Sequence, residues 1–107
     1  FDYTEQYELD TVKVNMLRSF IDQCKERNIK LYLVCTPYYM KTNGTDHSLT
    51  VTKQIAKEKN ISFIDYSRDS FYFNRPQLFD DTVHLNMTGA TIFCNDLASK
   101  LKKDFQQ

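Results

Sequence analysis

The chain has 107 residues, with 14 Lys plus Arg balanced by 14 Asp plus Glu. That leaves no basic excess to neutralise phosphates and no polybasic patch for an anionic lipid surface, which argues against a nucleic-acid or membrane-surface partner. A hydrophobic fraction of 41%, including seven Tyr and eight Phe, argues for a real core in one compact domain, or a piece of one, over residues 1–107. The helix, strand, loop, helix, strand order is that of an α/β fold. No segment approaches the roughly 20 apolar residues of a membrane span.

Residues 1–8 carry Tyr and acidic side chains without a period and read as an irregular lead-in. From Leu9 to about Asn28, the apolar residues Leu9, Val12, Met16, Leu17, Phe20, Ile21 and Cys24 recur in steps of three and four. That spacing predicts a helix with one buried stripe. Asn28 suits a left-handed cap at its end. The run from Lys30 to Thr36 predicts a strand buried on both faces, as in a parallel sheet, and Pro37 stops it. A loop with Asn43-Gly44 follows, and Asp46 or Ser48 is the expected cap of a second helix to about Asn60, with Leu49, Thr52, Ile55 and Ala56 inward. Residues 61–65 form a second short strand.

The long connection from Tyr66 to Val83 is rich in Asp, Ser, Arg and aromatics, and such connections are often functional. Thr88 is the expected cap of the last helix. Ala90, Phe93, Cys94, Leu97, Ala98 and Leu101 give it the cleanest helical period of the chain, and residues 102–107 read as a fraying tail.

Cys24, Cys35 and Cys94 form no Cys-x-x-Cys pair and read as small buried hydrophobes; a zinc site would need His47 or His84 at unusual separations. His47 reads as a surface residue at a helix start. His84 differs, because it lies three positions after Asp81 in the loop feeding the last helix, with Val83 and Leu85 expected to bury its surroundings. A carboxylate and an imidazole so spaced can meet across one turn. The carboxylate then accepts the Nδ1 hydrogen and leaves Nε2 as a general base.

The block from Leu78 to Ala90, with Asp81-Thr82-Val83-His84-Leu85-Asn86 at its centre, resembles the last motif block of the SGNH (GDSL-type) hydrolase superfamily. There an Asp-x-x-His precedes the final helix. The strand ending Val34-Cys35-Thr36-Pro37 is similar to that family's penultimate strand, and the overall flavour resembles DltD-like and other envelope-associated members. The resemblance implies a three-layer α/β/α sandwich with parallel strands, of which this chain supplies the C-terminal part, about two strands and three helices. It implies Asp81 as orienting acid and His84 as general base, with no metal or organic cofactor. The implied substrate is an ester, such as an O-acyl group on carbohydrate, and the implied location extracytoplasmic or in the cell envelope. Gly89 lets the helix start pack closely on the sheet, and Asn86 ties down the loop.

The family's Gly-Asp-Ser nucleophile block and its Gly and Asn oxyanion donors have no counterpart. Asp69-Ser70 lacks the Gly and follows the last strand instead of the first. A start at Phe1, without Met or signal segment, fits a chain cut from something longer, and the chain alone is expected to be inactive. Two strands also leave an apolar edge, so self-association through residues 31–36 or their flank is expected. The rival reading is a non-catalytic α/β interaction module or degenerate relative, in which Asp81 and His84 merely fix the last loop. A flavodoxin-like nucleotide binder fares worse, because neither strand is followed by a Gly-rich or Ser/Thr-rich phosphate cradle.

Overall fold

The structure, a computed structural model, describes residues 11–40 and 47–105. Its elements are α1 (Thr11–Glu26), β1 (Tyr32–Cys35), α2 (His47–Lys59), β2 (Ser62–Asp65), short 3-10 turns at Ser70–Tyr72 and Pro76–Leu78, and α3 (Met87–Phe105). β1 and β2 pair in parallel, joined by α2 as crossover, so the chain belongs to the α/β class. The expected lead-in, the Asn43-Gly44 turn and Asp46 lie outside the described residues. Ser48 is inside α2, where its carbonyl accepts the Thr52 hydroxyl, and does not cap the helix.

The described residues divide into two compact units, one of residues 11–35 and 47–64, the other of residues 36–40 and 65–105. In the first, α1 packs on α2. Ile21, Cys24, Ile55 and Ala56 are its buried core. Ion pairs of Arg18 with Glu58 and of Lys59 with Asp22 (2.8 Å) border that contact. Both helices end in the same way. Asn28 (φ 57°) and Asn60 (φ 56°) adopt the left-handed conformation. The amides around them bond back into the last turn, Asn28 to the Lys25 carbonyl and Ile29 to Cys24, then Asn60 to Lys57 and Ile61 to Ala56. This is the Schellman arrangement, with Asn in the position glycine usually holds. It bears out the cap expected at Asn28 and sends the chain straight from each helix into a strand.

Two expectations for this unit need correction. β1 and β2 are half-buried, not enclosed on both faces. The stripe of α1 is buried only at Ile21 and Cys24, while Val12, Met16 and Phe20 are 67%, 66% and 53% exposed. A helical period shows which side chains share a face; burial requires a second surface on that face.

In the second unit the core is largely aromatic, with Tyr66, Tyr72, Phe79 and Phe93 around Leu78. Phe93, from α3, meets the Tyr66 ring edge to face at 4.8 Å, and Tyr72 does so at 6.4 Å. The Tyr66 hydroxyl donates to the Asp96 carboxylate (2.6 Å), and the Lys100 ammonium sits 4.1 Å from the ring centroid. Burial, then the Asp96 bond, raise the Tyr66 pKa, whereas Asp96 is lowered by the hydroxyl it accepts and by Lys100. α3 runs to Phe105, so the expected fraying tail is largely helix. Cys94 and Ala98, expected inward, are exposed; of the cysteines only Cys24 is buried, with Cys35 half-buried.

Candidate functional site

Phe79 and Leu85 form an antiparallel bridge, and the Asp80 amide donates to the His84 carbonyl (2.8 Å), closing a tight hairpin over residues 79–85. The next residue fastens it. The Asn86 amide donates to the Leu78 carbonyl (2.9 Å), and its side-chain Nδ2 donates to the Gln77 carbonyl (2.8 Å). Its Oδ1 accepts the Gly89 amide (2.9 Å). The last of these bonds makes Asn86, not Thr88, the N-cap of α3: an Asn oxygen there satisfies an amide that the helix itself leaves unpaired. Thr88 lies inside the first turn. Gly89 is explained by proximity, although its neighbour is not the sheet. A Cβ at this position would overlap the carbonyl oxygen of Leu78 and press on Leu85, so only glycine lets α3 start against the Pro76–Leu78 turn.

Within the hairpin the structure brings Asp81 and His84 together. Asp81 Oδ1 accepts the amides of Val83 and His84, both at 2.8 Å, and the imidazole Nδ1 lies 2.8 Å from Oδ2 and 3.0 Å from Oδ1. A carboxylate is only an acceptor, so the proton of this contact belongs to Nδ1 and the neutral ring has its lone pair on Nε2. The Val83 amide, then the His84 ring and amide, hold the Asp81 carboxyl below the usual carboxylate range. Asp81 thus stays ionised and fixes both the ring and its tautomer.

The pair is solvent-facing. The His84 side chain is 72% exposed and that of Asp81 54%. Val83 is 65% exposed and Leu85 half-buried, so the neighbours expected to enclose His84 do not. A turn this tight points Val83 outward while its amide turns in to the carboxylate.

An open groove of about 350 Å³ adjoins Asp81, lined by Tyr39, Pro76, Phe79, Asp80, Asp81 and Thr82. His84 is not on its wall. Tyr39 comes from the loop after β1, where its carbonyl accepts the Asn74 amide (2.8 Å) and its ring meets Phe79 edge to face at 5.3 Å. Sequence reasoning missed Tyr39 and the groove. The signal available was the Thr-Pro strand end, which points to this loop but not to one residue of it.

Asp69 caps the Ser70–Tyr72 turn by accepting the Phe71 amide (3.0 Å), a local structural role, and no hydrogen bond joins Ser70 to His84. His47 is exposed at the start of α2. No group of three or more His, Cys, Asp or Glu among the described residues could hold a metal ion. No described helix is long and apolar enough to cross a membrane. Comparison with protein-family models, curated proteins and solved structures finds no match.

Proposed function

We propose that this chain carries the acid–base half of an SGNH-type serine esterase or acyltransferase site, in the C-terminal part of a three-layer α/β/α sandwich. The observation that supports the reading most is the 2.8 Å contact of His84 Nδ1 with a carboxylate already anchored by two backbone amides. His84 Nε2 removes the proton from a serine hydroxyl supplied by a segment outside these 107 residues, as that oxygen attacks the ester carbonyl. The imidazolium then returns the proton to the departing alkoxide, leaving an acyl-serine. Water or an acceptor hydroxyl, deprotonated by the same nitrogen, attacks the acyl carbonyl; the bond to serine breaks and the imidazolium returns the proton to the serine oxygen. Asp81 stays ionised throughout and stabilises the imidazolium. This division of labour calls for no metal or organic cofactor.

The exposure of His84 fits the scheme, because Nε2 must be reachable from outside the hairpin. A second reading, a non-catalytic interaction module, is favoured by one observation: the two amide bonds to Asp81 suffice to shape the turn without any role for the imidazole. In the full-length protein, His84→Ala is expected to lower ester cleavage by roughly 10³–10⁴-fold while the circular dichroism spectrum is unchanged. Retained cleavage would sink the enzyme reading in favour of the module.

A further inference from the structure

The groove beside Asp81 joins an aromatic corner to negative charge. Tyr39 and Phe79 both line it, their ring planes at 78° and their centroids 5.3 Å apart, and Pro76 adds a further apolar face. The same wall carries the adjacent carboxylates of Asp80 and Asp81, and no Lys, Arg or His lines it among the described residues. Asp81 is committed to two amides and the imidazole. Asp80 is not: its amide closes the hairpin, but its exposed carboxylate has no hydrogen bond or ion pair among the described residues. Arg75, beside Pro76 in sequence, is stacked on Phe71 instead, 4.7 Å from the ring centroid.

Ligand classes meet this wall differently. Two carboxylates repel phosphate, sulfate and carboxylate groups. A neutral apolar ligand desolvates Asp80 without a compensating charge. A metal ion finds no group of three His, Cys, Asp or Glu side chains among the described residues. A primary ammonium is strongly hydrated and gives up that hydration to reach an aromatic wall. A quaternary ammonium suits both halves of the groove. Its charge is spread over methyl groups that pack on aromatic and apolar surface, and a carboxylate attracts it without needing an N–H donor. The volume of about 350 Å³ lies at the small end of the range for ligand sites, enough for one such head group and a short chain. We propose that this groove binds a small, free quaternary ammonium ion, its methyl groups against Tyr39, Phe79 and Pro76 and its charge facing Asp80. The proposal stands on the groove alone and needs neither a serine nor an ester.

The test is a saturation-transfer NMR titration of the full-length protein with choline. Three further probes are its uncharged tert-butyl isostere, ethanolamine and phosphocholine, the last carrying the phosphate of a lipid head group on the same cation. Choline is expected to bind and each of the other three to bind more weakly. Tyr39→Ala is expected to lower choline affinity roughly tenfold, and Tyr39→Phe to retain it, which separates loss of the ring from loss of the fold. Asp80→Asn, at an exposed side chain that holds no part of the hairpin, is expected to lower affinity roughly fivefold. Absence of saturation transfer to choline, or affinity indifferent to Tyr39→Ala or to Asp80→Asn, would overturn the proposal. So would any of the other three probes binding as tightly as choline. None of these probes is an ester, so failure here is distinguishable from failure of the acid–base reading, which His84→Ala decides.

Discussion

Asp81 concentrates the chemistry of the hairpin in one carboxyl group. Its oxygens accept hydrogen from two amides and one imidazole, all of which favour the ionised form and lower its pKa. A folded pKa below the unfolded one sets the sign: the contribution to stability is complete above the unfolded value, about 3.9, and fades as pH falls through the folded value. The Val83 and His84 amide resonances are therefore expected to hold their positions down through the ordinary carboxylate range and to shift only at lower pH. A midpoint at or above 3.9 in an NMR pH titration would contradict the geometry. Asp81→Asn is a sharper probe. Its amide oxygen can still accept a backbone hydrogen, but its NH2 group can donate to Nδ1, which favours the tautomer with the hydrogen on Nε2. Under the proposed acyl-transfer reading, loss of ester cleavage approaching 10⁴-fold is expected without loss of the hairpin. This pairing was legible in the sequence because contact across one turn depends only on local spacing. The exposure of Val83 and the groove at Tyr39 were not, since each depends on where distant backbone passes.

Among the elements, two devices set how tightly the chain turns. The Schellman ends of α1 and α2 place Asn28 and Asn60 at positive φ, where a β-carbon crowds the following carbonyl and Asn is merely better tolerated than other side chains. Replacing Asn28 with Gly is expected to raise stability by up to about 1 kcal/mol and replacing it with Ala to lower it by about 1 kcal/mol. Urea unfolding of the chain measures both, and equal midpoints for the two variants would contradict the assignment. The second device is the start of α3. Gly89→Ala drives a methyl group into the Leu78 carbonyl, backbone that cannot rotate away as a side chain could. A loss of about 1–3 kcal/mol is expected, in the range of overpacked sites, together with loosening of the Asn86 cap that would appear as faster amide exchange at Gly89. The sequence marked the cap of α1 because Asn before a β-rich run is a local signal. It misplaced the α3 cap by two residues because Thr88 and Asn86 are equally good caps, and only the carbonyls of Gln77 and Leu78 favour Asn86.

Taken whole, the chain shows more apolar surface than its helical periods imply. Val12, Met16 and Phe20 stand at spacing i, i+4, i+8 on one face of α1, all more than half exposed. Among the described residues the sheet consists of two strands. Parallel strands ordinarily have both faces covered, and those here are half-buried. Zero formal net charge adds no long-range repulsion to keep copies apart. These features together lead us to expect association that rises with protein concentration. Sedimentation velocity over a wide concentration range tests it, and a monomer throughout would contradict it. The variants to compare are Met16→Lys and Phe20→Lys: both sit on the exposed face, so neither opens a core cavity, and each puts a charge where a covering surface would have to bury it. If the α1 stripe is the contact, both weaken association. If another surface is the contact, neither does.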